Sequence, residues 1–363
     1  MKSSNLLVGA LALTASLVPF AAHAHSINAD DHAPIGVMGD HAHKKGEIML
    51  SARYMHMGMA GNQIGTDDVT PETITTTVPN RFAGMPMQPP TLRVVPEAMR
   101  AEMVMIGAMY APVDAFTLAI GATYVTKETD ALTFQGGMGT AELGRFQSSV
   151  EGFGDMKAMA IIPLLPLPDK TADRRDELYL KAGFNVPTGS RTKTDEVLTP
   201  MGTTMTMRMA YGMQLGTGTW DFEPALTYKA RRGKIGYGVQ GSASLKLGDN
   251  TQGYSFGDIY ESTAWVSYRP AQWVSLSARA KARTMGSIDG MDPAIMGPTQ
   301  GANPDLYGGE RVDLLAGVNF VGTHGALAGH RLGIELGKPV YQDLNGPQLA
   351  SDWSLMIGWQ KAW

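Results

Sequence analysis

Histidine and methionine are the residues of this chain best suited to chemistry, and both are unevenly placed. Six of the eight histidines fall in the first 56 residues, with His25, His32, His41, His43 and His56 following His23. Met38, Met49, Met55, Met57 and Met59 run among them, in a chain that carries 24 methionines. Imidazole suits Cu(II) and zinc, and with thioether it suits Cu(I). His25, His32, His41, His43, Met55, His56, Met57 and Met59 therefore form a candidate soft-metal set for copper or silver. Cleavage after Ala24 would give His25 a free amine beside its imidazole, a pair that chelates Cu(II). The ordinary alternative is that methionine is an adaptable filler of irregular apolar space. A His/Met-rich exported terminus can also be disordered and bind metal weakly. No cofactor is required by any motif, and copper is the one candidate.

A second constellation is charge at alternate positions of extended runs: Arg53, Lys181, Lys229, Arg279, Lys281, Arg311, Asp313, Arg331 and Glu335. Side chains of a strand repeat on one face every second residue. If those faces point inward, the charges either set the selectivity of a water-filled pore or pair with one another in a polar interior. Met49, Met103, Met105 and Met109 fall on the same kind of face and join them as lumen-lining candidates, as do Met205, Met207 and Met209 on a later run. His56 falls opposite its neighbouring methionines, which weakens it as their co-ligand.

Catalysis has little support. There is no cysteine, so thiolate chemistry and disulfides are excluded. His324 and His330 flank the turn Gly325–Gly329, and Asp289-Gly-Met-Asp292 lacks the regular acidic spacing of a calcium loop. Pro187-Thr-Gly189 reads as a strand-end turn rather than a phosphate loop. Lys+Arg 30 against Asp+Glu 34 gives a net charge of −4, so no basic surface recommends nucleic acid. The expectation is a non-enzyme.

The elements that must position these residues are strands. Lys2, the apolar run Leu6–Phe20 and Ala22-His23-Ala24 have the form of a signal peptide. Residues 1–24 are therefore expected to be removed, 25–45 to form a His/Met-rich periplasmic segment, and 46–363 to form the folded body. No later stretch approaches the apolar length of a transmembrane helix. Instead, alternation recurs: Leu118, Ile120 and Tyr124 oppose Thr117, Ala119 and Thr123, and Leu314, Ala316 and Val318 oppose Asp313, Gly317 and Asn319. Runs of ten or more residues suit tilted membrane strands. Tight turns at 111–114, 216–219 and 269–272 alternate with long polar loops near 61–96, 127–151, 188–205 and 285–310. Tyr54, Tyr110, Tyr124, Trp265, Tyr268, Trp273, Trp353, Trp359 and Trp363 sit near strand ends, as interfacial girdles do. Together these features predict an all-β, transmembrane, antiparallel up-and-down barrel. Thirteen runs can be placed, near 46–60, 97–111, 115–127, 153–164, 176–187, 206–216, 220–230, 234–247, 255–268, 272–284, 311–322, 329–341 and 352–363. An even count is the rule for bacterial barrels, so 12 to 14 strands are expected, with 230–256 the region in conflict.

Several segments resemble the MetA-type phenol-degradation outer-membrane barrels, a group described as transporters. They are Gly36–His41 leading into Lys45–Tyr54, Gly152–Asp155, Phe184–Ser190, Met213–Trp220, and the tail Gly329–Glu335 through Asn345–Gln348 to Trp363. The resemblance extends from about residue 34 to the end and consists of barrel turns and strand ends. It implies an outer-membrane barrel that moves small, hydrophobic molecules, and it brings no catalytic residues. The expected role is passive passage of small solutes, with soft-metal binding or efflux as the alternative. The expected surroundings are outer-membrane lipid of a Gram-negative bacterium, a small-molecule solute, and the barrel-assembly machinery, engaged by the C-terminal strand ending at Trp363.

Overall fold

The computed structural model describes residues 28–169 and 172–363; the signal segment 1–24 and His25 lie outside the described residues. The long alternating runs form β1 (Ile48–Gly65), β2 (Val94–Val113), β3 (Phe116–Phe134), β4 (Glu142–Phe153), β5 (Met156–Pro163) and β6 (Arg174–Val186). They continue as β7 (Ala225–Arg232), β8 (Ile235–Lys246), β9 (Ile259–Ala271), β10 (Val274–Met285), β11 (Gly309–Val321) and β12 (His330–Ala362). Consecutive strands pair antiparallel, except that β4 and β5 do not pair with each other, and β12 returns to β1, so the ring closes. Closure is what lets strands cross a bilayer, because every backbone group then finds a partner inside the wall. β4 and β5 both pair with β3 and make one stave broken at Gly154-Asp155. Eleven elements thus close the ring, with β4 as the extension of β5.

The last element contains a fold-back. Its first arm runs from Arg331 beside Val321 to Leu344 beside Gly309, and its second from Leu344 beside Gly65 to Ala362 beside Met49. Arg331 and Ala362 therefore lie at one end of the barrel and Leu344 at the other. Counting both arms, eleven elements make twelve staves, an even number.

One of the thirteen predicted strands, 206–216, is not part of the wall. Thr204–Arg208 pairs instead with Thr194–Leu198 in a small hairpin, and Tyr211–Met213 is a turn of 3-10 helix. Its alternation arose because Met209, Tyr211, Met213 and Leu215 are buried in the barrel mouth by loop packing, and an alternating pattern records burial without saying what does the burying. Removing this strand also resolves the conflict at 230–256, where β8 stands as expected. The turn at 216–219 accordingly belongs to the long-loop end. The loop predicted at 127–151 shrinks to 135–141, since β3 runs on to Phe134 and β4 begins at Glu142.

The wall is apolar outside. Ile48, Leu50, Val104, Ile106, Leu118, Ile120, Leu276 and Leu314 are all exposed at alternate positions, and Tyr110, Tyr268, Trp273 and Trp359 are exposed near strand ends. Trp265 departs from the expected girdle: it turns inward against Ala33 and Val37, its ring over Gly238, where a Cβ would meet Trp265 Cζ2 at 2.4 Å. Among the described residues no helix is long and apolar enough to cross a membrane. Ile106, 64% exposed in the middle of β2, is a sensitive lipid contact. Ile106→Arg is expected to cost about 2–4 kcal/mol of barrel stability, measured by denaturant unfolding in bilayers, as for cations placed near the midplane.

Candidate functional site

The interior is divided into two compartments. The short-turn end is filled by residues 28–47, which precede β1 and enter the lumen instead of trailing into the periplasm. Ala29, Ala33, Ile35, Val37 and Ala42 are buried there, as are Asp30, Asp31, Asp40, His41 and His43. The segment has no regular structure, so the wall must satisfy its backbone groups. Ser275 Oγ donates to the Ala29 carbonyl at 3.1 Å, Arg331 Nη2 to that of Ala33 at 2.6 Å, and Gln240 Nε2 to that of Met38 at 2.9 Å. Glycine is required at position 39, where φ is +75° and any Cβ would press on the Lys181 stem at 3.0 Å.

Ion pairs fasten this plug. Asp30 meets Arg269 at 2.8 Å and Arg231 at 3.4 Å, while Asp31 meets Arg175 at 2.5 Å and Arg231 at 3.1 Å. Lys229 lies 3.2 Å from Glu177 and donates to the Asp31 carbonyl at 2.9 Å. Arg279 clasps Glu335 through two bonds of 2.8 Å, and the Gly36 N–H donates to the same carboxylate at 3.1 Å. Arg331 also reaches Gln360 and Asn319. Nearer the long loops, Asp313 sits 3.3 Å from Lys281 and 3.1 Å from Arg311. Most of the predicted inward charges thus face one another or the plug. Arg53 is different: it points inward near Ile35, and its Nε and Nη1 have no hydrogen-bond partner among the described residues.

The plug also gathers histidines. His32 Nδ1 lies 3.2 Å from His41 Nδ1, which lies 2.8 Å from Asp40 Oδ1, and the His43 ring sits 5.0 Å from that of His41. Burial, the largest influence, drives His32 well below the ordinary imidazole range and His41 down to about 4. Burial works to raise Asp40, but His41, Lys229 and His32 outweigh it and hold the carboxyl well below its usual range. Near pH 7 the group is two neutral imidazoles around a carboxylate.

Towards the long loops the lumen opens into a cavity of about 1230 Å³. Twelve methionines border it: Met55, Met57, Met59, Met99 and Met103 from the wall, and Met87, Met201, Met205, Met207, Met209, Met213 and Met296 from the loops. The rest of the lining is mainly valine, leucine, proline, alanine and small polar residues, with Lys127 anchored on the Gly212 and Gln214 carbonyls at 2.8 and 2.6 Å.

The structure therefore separates the predicted ligand set. His32 and His41 come together with Asp40, beside His43. Met55, Met57 and Met59 line the cavity, and His56 lies on the outer wall, stacked on Trp353 at 4.6 Å and 3.3 Å from Glu102. Even numbering put His56 on the lipid face, so the eight residues cannot form one site. Of the lumenal methionines, Met103 borders the cavity, Met109 packs with Ala42, Ile161 and Tyr179, Met105 lies over Gly121, and Met49 is buried near the short turns. Met99 was missed, although it continues the odd-numbered ladder of Met103.

No protein-family profile matches the chain, and no curated protein matches it. Among solved structures, an outer membrane channel from Pseudomonas putida F1 aligns over 91% of this chain and 100% of its own, with a TM-score of 0.56 at 14% identity. The fold is that of an outer-membrane β-barrel. A Pseudomonas aeruginosa FadL homologue (TM-score 0.40, 8% identity, 87% of this chain and 90% of its own) and the Pseudomonas putida toluene transporter TodX (TM-score 0.37, 8% identity, 93% and 96%) are too distant to carry an argument.

Replacing Asp30 and Asp31 with asparagine removes the plug carboxylates that Arg175, Arg231 and Arg269 meet. Breaking a buried pair costs about 3–5 kcal/mol, enough to dislodge a segment held largely by such contacts. The double variant is expected to show protease cleavage within residues 28–47 and a larger ionic conductance in planar bilayers, with the barrel still closed.

Proposed function

We propose that the protein is an outer-membrane channel for small apolar solutes, aromatic compounds foremost, which enter the methionine-lined cavity from the long-loop end and pass the plug when it shifts. The observation that carries this reading is the cavity: about 1230 Å³, bordered by twelve thioether side chains and few charges. Thioethers make favourable contacts with aromatic ring edges and adapt to differently shaped guests. A small aromatic molecule burying roughly 150–200 Å² gains about 4–5 kcal/mol at ~25 cal/mol per Å², for a Kd on the order of 1 mM. That is tight enough to concentrate a solute and loose enough to release it. The resemblance of strand ends and turns to the phenol-degradation barrels supports the same solute class.

The lining also gives a second reading, since thioethers alone suit Cu(I) and Ag(I). The two readings separate in one calorimetric experiment. Toluene is expected to bind the refolded barrel weakly, and Met103→Glu, which buries a carboxylate in the lining, is expected to reduce that binding at least about tenfold. Silver bound tightly with no toluene affinity would favour the metal reading. As an outer-membrane barrel it would be folded by the assembly machinery, and we propose the last arm of β12 as the recognised strand. Trp363 closes the wall on β1, its N–H donating to the Ile48 carbonyl at 2.9 Å.

A further inference from the structure

We propose that His32, Asp40 and His41 form a binding site for a borderline divalent metal, zinc in the first instance, inside the plug and apart from the methionine cavity. The three donor atoms all lie within 4.8 Å of one another. A tetrahedral ion with bonds of ~2.05 Å holds its ligand atoms roughly 3.3 Å apart. The separations are 3.2 Å between the two Nδ1 atoms, 2.8 Å from His41 Nδ1 to Asp40 Oδ1 and 3.9 Å from His32 Nδ1 to Asp40 Oδ2, which together span that length. Imidazole nitrogen and carboxylate oxygen, with no sulfur, select zinc or Cu(II) over the soft ions that thioethers prefer.

The polar bookkeeping of the cluster points the same way. Without a metal, a single proton on His41 Nδ1 has to serve both the Asp40 carboxylate and His32 Nδ1, while the buried His41 Nε2 has no partner among the described residues. With a metal, all three lone pairs converge on one cation, and the displaced proton moves to Nε2 or to solvent. Asp40 Oδ2 stays fixed by the Ala33 N–H at 2.8 Å, which orients the carboxylate as an outer-shell bond should. Lys229, 3.9 Å from Asp40, and Arg331, which acts on His32, oppose a bound cation, and Glu177 at 3.2 Å offsets Lys229. A small cavity of about 20 Å³ bordered by His32, His41, Tyr179 and Lys229 adjoins the cluster and has room for one water as a fourth ligand. Because the ligands lie nine residues apart in sequence, the metal would clip the plug's own loop closed.

The test is zinc titration of the refolded barrel carrying His25→Ala, which removes the other candidate chelator near the N-terminus. One zinc per chain is expected. His32→Ala and His41→Ala should each weaken it at least about tenfold, while His56→Ala on the outer wall should not. Cu(II) in the same protein should show nitrogen hyperfine structure from two imidazoles by electron paramagnetic resonance, reduced in either plug variant. Retained heat-modifiable gel mobility confirms that each variant is a closed barrel. Failure of the folded protein to take up zinc, or uptake unchanged in both plug variants, overturns the proposal and leaves the proposed solute channel untouched.

Discussion

The structure depends on what fills a closed wall of strands. A barrel satisfies its backbone by closing on itself, but closure creates an interior that lipid cannot reach and that twelve staves are too many to fill with their own side chains. At the short-turn end the solution is electrostatic. Arg175, Lys229, Arg231 and Arg269 point inward, where uncompensated charge is costly, and Asp30 and Asp31 of the preceding segment complete them. The plug is thus the counter-charge of the wall. Its irregular backbone persists because Ser275, Gln240 and Arg331 of the surrounding staves take up its carbonyls.

At the other end the solution is apolar and loose. Methionines from two wall strands and from the loops after β1, β6 and β10 surround space instead of filling it. The contrast between a tightly paired polar half and an open thioether half gives the lumen a direction: a solute would be drawn into one compartment and stopped by the other. In the proposed channel, passage turns on how the plug yields, since its residues are buried in the short-turn half of the lumen.

The sequence made much of the wall legible because membrane strands obey a strict period of two. Twelve of the thirteen alternating runs are staves, and Leu118, Ile120, Leu276 and Leu314 face outward where alternation put them. The failures have different causes. The run 206–216 alternates because a loop buries Met209, Tyr211, Met213 and Leu215 in the mouth, which is tertiary packing that periodicity does not encode. Trp265 lies at the middle of β9 on the same face as the buried Thr263 and Ser267, so the strand period itself turns it inward over Gly238, away from the interface expected of an aromatic. The methionine ladders at Met55–Met59 and Met103 were visible for the same reason as the staves. The loop methionines that complete the cavity were not, because nothing local says where a long loop will fold. Residues 28–47 were legible only as chemistry: their histidines and acids stood out, but a segment without a period gives no sign that it threads a lumen.

The measurement that tests the central claim most directly is solute flux into liposomes containing the refolded protein, comparing toluene-sized aromatics with a sugar of similar size after subtraction of bilayer leak. An apolar cavity above a polar plug predicts protein-dependent flux of the aromatic and little of the sugar. Equal flux of both, or sugar flux alone, would contradict it and make the lumen a general aqueous pore.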